Sequence, residues 1–138
     1  MRILGVDFGS KRIGIAVSDE LFITAQGVKT LVRRSLEQDL REIKDFIKEH
    51  GVIEVVVGLP LNMNGSHSQK TKEAMEFMES LSKAVDVPVK TWDERLSTVQ
   101  AERTLLEADV SRAKRKRVMD KMAAQVILQG YLDSRKKG

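Results

Sequence analysis

The sequence predicts an α/β domain with a five-stranded mixed sheet, in which three antiparallel strands are followed by two parallel strands and helices flank the sheet. Near the N-terminus, short runs rich in Ile, Leu and Val follow one another closely. From about residue 35, segments of helical spacing alternate with further apolar runs. Directly connected strands pair as hairpins, whereas strands separated by helices form parallel crossovers. With 138 residues we expect a single domain, 1–138.

Five segments are predicted to be strands. Residues 2–8 and 12–18 are separated by Gly-Ser-Lys and predict a hairpin, and a third strand is expected around 27–32. The run "VIEVVVG", residues 52–58, is continuously apolar and is therefore typical of a central strand covered on both faces. The segment "VPVKTW", residues 87–92, supplies the fifth strand.

Helices are predicted where apolar residues recur every three or four positions. Ser35, with Gln38 three residues later, is a capping-box candidate for a first helix that Gly51 ends. Further helices are predicted at 69–85, from a second capping-box candidate at Ser97 and Gln100, and at 112–133.

The composition excludes several kinds of chemistry. The chain has no cysteine, which rules out disulfides, a thiolate nucleophile and a Cys-based zinc site. It has two histidines, too few for a His-rich metal site. Its apolar runs are shorter than the roughly 18 residues of a membrane span, and its first residues follow a strand pattern rather than a signal-peptide pattern. We therefore expect a cytoplasmic protein that does not bind membranes.

Positive charge is concentrated at the C-terminal end. Residues 111–138 carry nine basic and two acidic side chains, a net charge of +7, although the whole chain carries only +4. The other residues together are therefore acidic. Such asymmetry indicates a surface that binds a polyanion, although basic tails can also serve only to keep a protein in solution.

Acidic residues stand near the ends of two predicted strands and in the last predicted helix. Asp7 lies near the end of the first strand, and the Asp93–Glu94 pair follows the fifth. Asp120 lies one helical turn before Ala124, at the margin of an apolar face. Ligands usually bind at the carboxyl ends of parallel strands, so these acids are expected to converge there. Because strand side chains alternate, one member of the pair should share the direction of Asp7, and we favour Glu94 for its longer side chain.

An acidic cluster without His or Cys suits Mg²⁺ or Mn²⁺, which prefer oxygen ligands. Two such ions activate a water and stabilise the leaving oxygen of a phosphodiester. The alternative is a structural role for each acid: Asp7 as a turn or cap residue, Asp93 or Glu94 paired with Arg95, and Asp120 paired with the neighbouring Lys116 or Lys121. The joint placement of the acids favours the metal site over this alternative.

Four motifs carry a resemblance to a known family. They are, in chain order, "GVDFGSKRIGIAVSD", "GLPLNMNG", "WDERLST" and "DKMAAQVILQGYL". Together they resemble the bacterial YqgF family, also called RuvX or Holliday junction resolvase-like, over essentially the whole chain. The resemblance implies a ribonuclease H-like fold and nuclease activity. Processing of the 5′ end of precursor 16S ribosomal RNA is the usual assignment, and Holliday junction resolution is the older proposal based on the fold.

The resemblance also implies roles for individual residues. The first-strand aspartate of the family corresponds to Asp7, the acid of its D-E-R motif to Glu94 with Asp93 beside it, and its last-helix aspartate to Asp120. The metal ligands are then Asp7, Asp93, Glu94 and Asp120, of which Asp7, Glu94 and Asp120 are the catalytic acids. Basic residues near these acids are expected to hold a phosphate backbone. They are Lys11, Arg12, Arg95, Arg112, Lys114, Arg115, Lys116 and Arg117.

The expected partner is a structured nucleic acid, precursor ribosomal RNA rather than branched DNA, bound by a monomer or a homodimer. Aromatic residues are few, so no row of stacking side chains for single strands is evident. Two alternatives remain. The segment "DFGS" is similar to the first phosphate loop of the actin and sugar-kinase superfamily, which closes two domains over ATP, whereas one domain is present here. The second alternative is a nucleic-acid-binding protein without catalysis, whose binding would depend steeply on salt concentration and which would cleave nothing.

Overall fold

The computed structural model describes residues 1–62, 64–93 and 112–137, with the side chains of the last helix described from 122 to 135. The elements are β1 (Arg2–Phe8), β2 (Arg12–Ser18), β3 (Ala25–Val32), α1 (Leu36–His50), β4 (Val52–Leu59), α2 (Gln69–Ala84), β5 (Val89–Asp93) and α3 (Arg112–Lys137). The helix predicted from Ser97 onward lies outside the described residues. In the parts of the chain that are described, no helix has both the length and the apolar composition needed to cross a membrane.

The five strands form one mixed sheet in the order β3-β2-β1-β4-β5. β2 is antiparallel to both β1 and β3, whereas β1, β4 and β5 are parallel to one another. The predicted sheet and the bounds of its first hairpin are thereby confirmed. β3 begins at Ala25, two residues before the predicted start, because Ala25 and Gln26 still pair with Ser18 and Val17.

Helices cover both faces of the sheet. α1 and α2 pack on one face, where Ile43 and Leu81 meet Val55 and other strand residues in the larger apolar core. α3 packs on the opposite face, where Ile127 joins Val56 in a second core. Neighbouring residues of β4 thus enter different cores, which confirms the prediction of a central strand buried on both sides.

The ends of α1 follow the predicted signals. The Ser35 hydroxyl accepts a hydrogen bond from the Gln38 amide (3.1 Å), which is the predicted N-terminal cap. At the other end Gly51 adopts φ 61°, a left-handed conformation that favours glycine, and its N–H donates to the carbonyl of Ile47. These two caps, at Ser35 and Gly51, therefore define the start and the end of the helix.

α2 begins at Gln69, as predicted, but its capping box was not predicted, and the end of α3 was predicted too early. α2 begins with a reciprocal capping box, in which Ser68 and Thr71 each bond the other's backbone amide. α3 continues to Lys137, four residues beyond the predicted end. It continues because Tyr131 and Arg135 both bond Glu54 of β4, which holds the last turns of the helix against the sheet.

Candidate active site

The carboxyl ends of β1, β4 and β5 meet at one edge of the sheet, which we call the carboxyl edge. Asp7 is the last but one residue of β1, and Asp93 is the last residue of β5. Val6 pairs with Val57, and Val57 pairs with Thr91, so Asp7 is level with the residue that precedes Asp93. β4 separates the two strands, and two strand spacings amount to about 10 Å. The fold thus brings the ends of these two strands to one edge, as predicted.

The two acids belong to opposite faces of the sheet. Side chains alternate along a strand, and Ile3 and Gly5 face α3, so Asp7 shares the α3 face. On β5, Trp92 packs into the core beneath α3, so the neighbouring Asp93 belongs to the other face. Asp7 is half-buried and Asp93 is exposed.

α3 runs antiparallel to β1, as its contacts with the edge strand β3 establish. The Gln125 side-chain oxygen accepts from the Gly27 amide (3.2 Å), and the Gln129 side-chain oxygen accepts from the Ala25 amide (2.9 Å). As α3 advances, its contacts therefore move backward along β3. Because β3 has the same direction as β1, the first turns of α3 point toward the carboxyl edge.

α3 approaches β1 closely at Gly5. A Cβ atom on Gly5 would stand 2.7 Å from the Cβ of Leu128 and 3.0 Å from the carbonyl oxygen of Ala124. From this contact, Asp7 lies two residues further along β1, about 7 Å, and Asp120 lies one turn further back along α3, about 6 Å. Both displacements lead to the carboxyl edge. The absence of a side chain on Gly5 permits this close approach.

The turn after Asp7 is tight. The Gly9 amide donates to the Arg12 carbonyl (2.9 Å), and a Cβ on Gly9 would stand 2.7 Å from that oxygen. Glycine at this position thus permits close approach of the chain's own backbone. The turn places Lys11, which is exposed, and Arg12, which is half-buried, at the same edge as Asp7.

Arg33 is a residue of this edge that sequence reasoning missed. Its guanidinium donates to the carbonyl oxygens of Gly9 (3.4 Å) and Ser10 (3.1 Å) and lies 4.4 Å from the Phe8 ring centroid. Its Nε lies 3.7 Å from the buried carboxylate of Asp39. Arg33 therefore ties the turn after Asp7 to the first turn of α1. Only knowledge of the β2–β3 pairing would have revealed it.

A second charged cluster, also missed, lies at the opposite edge. Glu54 is buried near the start of β4, and its carboxylate contacts Lys90 Nζ (2.6 Å), Arg135 Nη1 (2.7 Å) and the Tyr131 hydroxyl (2.8 Å). Burial raises the pKa of Glu54, but bonds from Lys90 and Tyr131 and the charges of Lys90 and Arg135 outweigh it and lower that pKa. The same contacts raise the pKa of Lys90. The sequence signal that could have indicated this cluster is Glu54 itself, an acidic residue within an otherwise apolar strand.

Other predicted site residues lie outside the described part. They are Glu94 and Arg95, together with the side chains of Asp120, Arg112, Lys114, Arg115, Lys116 and Arg117. The backbone of the basic run is helical and forms the start of α3, as predicted. Among the described side chains, no three acidic or histidine groups are placed to hold a metal ion. The acidic cluster therefore stays a prediction, because two of its members are not described.

Solved structures with the same fold include nucleases. RuvC from T. thermophilus, in complex with a Holliday junction substrate, superposes with a TM-score of 0.63 at 16% identity and covers 99% of this chain and 96% of its own. The fowlpox virus resolvase in complex with junction DNA gives 0.62 at 12% identity, covering 98% and 99%. The fold is therefore of the ribonuclease H-like class.

Comparisons of the sequence identify the family, whereas the structural comparisons show only the fold. The family model described as "RuvX: Holliday junction resolvase" matches residues 1–134. Relatives from Halothermothrix orenii (53% identity over 99% of this chain and 98% of the relative) and Symbiobacterium thermophilum (56% over 98% and 94%) are both named "Putative pre-16S rRNA nuclease". The chain belongs to the RuvX family. The predictions of family, fold and nuclease class are confirmed.

Proposed function

We propose that this chain is a divalent-metal-dependent nuclease that hydrolyses phosphodiester bonds in structured nucleic acid, with the 5′ end of precursor 16S ribosomal RNA as its substrate. One observation carries the proposal. The contact of α3 with β1 at Gly5, combined with the opposite directions of the two elements, leads both Asp7 and the backbone of Asp120 to the carboxyl edge.

The proposed metal ligands are Asp7, Glu94 and Asp120. Alternation along β5 favours Glu94 over Asp93, since Asp93 belongs to the face opposite Asp7. Asp7 is half-buried at the rim of the sheet, where its carboxylate offers the oxygen donor that Mg²⁺ and Mn²⁺ prefer. When bound, two such ions supply an activated water and stabilise the leaving oxygen. In this account Asp93 does not bind the ions with Asp7.

Basic side chains at the same edge would hold the sugar-phosphate chain. Lys11 and Arg12 follow Asp7 in the tight turn, and Arg95 follows the acidic pair. The basic start of α3 continues past the position of Asp120 in the direction of the carboxyl edge. Contacts of this kind position a backbone without reading its sequence, which suits recognition of a folded RNA by shape.

The choice of substrate is supported by the names of the relatives that are more than half identical to this chain. The family description favours a second candidate, resolution of four-way DNA junctions. We propose a monomer or a homodimer in the cytoplasm as the active form in either case.

The experiment compares Asp7→Asn with wild type on two substrates, a precursor 16S fragment and a four-way DNA junction, each with Mg²⁺ or Mn²⁺. Losing a metal ligand is expected to reduce cleavage by more than about 100-fold and to leave binding and folding intact. Asp45→Asn, which removes an exposed acid from α1, is the matched control and should cleave normally. Undiminished cleavage by Asp7→Asn would refute the mechanism, and faster cutting of the junction would favour the second candidate.

A further inference from the structure

A second basic surface lies at the carboxyl edge, on the β3 side of Asp7. It consists of Lys11 in the β1–β2 turn and Arg34 in the segment between β3 and α1, and we call it the β3 corner. The two parts are adjacent, because the Arg33 amide donates to the Lys11 carbonyl (3.0 Å) and extends the β2–β3 pairing by one step. The side chains of Lys11 and Arg34 are both exposed.

Lys11 and Arg34 are not neutralised by any neighbour among the described side chains. Within the described ranges the side chains of Lys11 and Arg34 form no ion pair, whereas Arg33 is engaged with Asp39. The nearby acid Glu37 pairs with Arg41 at 3.1 Å. Glu73 and Glu76 of α2 line a groove of about 450 Å³ that Arg33 also lines, whereas neither Lys11 nor Arg34 lines it. The corner therefore keeps two charges available to an anion.

The backbone that carries these charges is held in place. Arg33 bonds the two carbonyl oxygens of the turn that precedes Lys11, and Asp39 accepts from the Arg34 amide at 3.2 Å. Two exposed apolar side chains, Val32 (68%) and Leu36 (46%), flank the arginines. A purely solvated charge run needs neither a fixed backbone nor exposed apolar neighbours, whereas a surface that a large polyanion covers accommodates both.

We propose that the β3 corner binds the phosphate backbone of the nucleic-acid substrate through Arg34 together with Lys11, with Arg33 as the positioning residue. This inference rests on the proposed function and adds Arg34 to it. Two strand spacings, about 10 Å, separate β1 from β3.

The test is the salt dependence of binding to a 20-base-pair duplex, as RNA and as DNA, without divalent ions so that the probe stays intact. Arg34→Gln should weaken binding about 2- to 5-fold at low salt. It should also make the slope of log K against log salt shallower by about 0.9 on DNA, the contribution of one phosphate contact. Arg34→Lys keeps the charge and should restore the slope.

The matched control is Arg41→Gln, an exposed arginine of α1 whose charge is already paired with Glu37, and its slope should equal that of wild type. If wild-type binding depends steeply on salt and Arg34→Gln has the same slope, the proposed role of the β3 corner is overturned and the proposed function still stands. Failure of wild type to bind either duplex overturns both. Thermal melting of Arg34→Gln should match wild type, since its side chain makes no described ion pair.

Discussion

The close contact at Gly5 predicts that Gly5→Ala will damage activity far more than stability. The added Cβ would stand 2.7 Å from the Cβ of Leu128 and 3.0 Å from the carbonyl of Ala124, whereas ordinary contacts are 3.4–4 Å. α3 must therefore move away from β1 by about 1 Å, a shift that strains a packed core by about 1–3 kcal/mol. For a domain of this size we expect Tm to fall by about 3–10 °C.

The same shift moves Asp120 relative to Asp7. A misplacement of about 1 Å in a catalytic group costs about 100-fold in rate. Gly51→Ala is the matched control, because its left-handed φ of 61° makes alanine costly, by about 1–2 kcal/mol, while a Cβ there has no neighbour within 4 Å. It should lower Tm comparably and leave cleavage per folded molecule unchanged.

The assay measures cleavage of a precursor 16S fragment at 25 °C, well below either melting transition, beside Tm from circular dichroism. Equal cleavage by Gly5→Ala and Gly51→Ala at equal stability loss would refute the link between the α3–β1 contact and the site. An unchanged Tm in Gly5→Ala would refute the contact itself.

Two further predictions concern stability. The pKa of Glu54 is lowered in the folded state, so its contribution is present above its unfolded value of about 4.5 and is lost as pH falls through the folded pKa. Glu54→Gln should lower the free energy of unfolding by about 1–3 kcal/mol at pH 7 and flatten its decline on acidification below pH 4.5, as urea titrations would reveal; a parallel decline in both proteins would contradict this. Ser68→Ala removes half of the capping box with Thr71 and should cost about 1 kcal/mol, whereas Ser68→Thr, which keeps the hydroxyl, should cost less. Equal losses in the two Ser68 variants would show that the hydroxyl is not the cap.

Patterns within a single element predicted most of the fold. The alternation of apolar runs and the cap at Ser35 placed β1, β2 and α1 correctly, because each signal acts over a few residues. The end of α3 was missed, since Glu54, far away in sequence, decides it. Local signals thus define elements, while long-range contacts decide how far some of them extend.

In the candidate site too, some features could be predicted from the sequence and others depend on long-range contacts. Strand order and direction lead Asp7 to the edge that the sequence predicted, because topology depends on the order of elements. Arg33 was missed because it bonds the backbone carbonyl oxygens of Gly9 and Ser10. Every residue has such a carbonyl, so the sequence does not indicate which one a distant arginine will bond. The roles of Asp7, Glu94 and Asp120 as ligands stay predictions.

Gln125 and Gln129 have a consequence for aggregation. Their side-chain oxygens occupy two amides on the outer edge of β3, Gly27 and Ala25, the groups that another chain would need in order to add as a strand. An intruding strand must first displace α3. Detachment of that helix would therefore open the outer edge of the sheet to self-association, in the same event that moves the backbone of Asp120 away from the carboxyl edge.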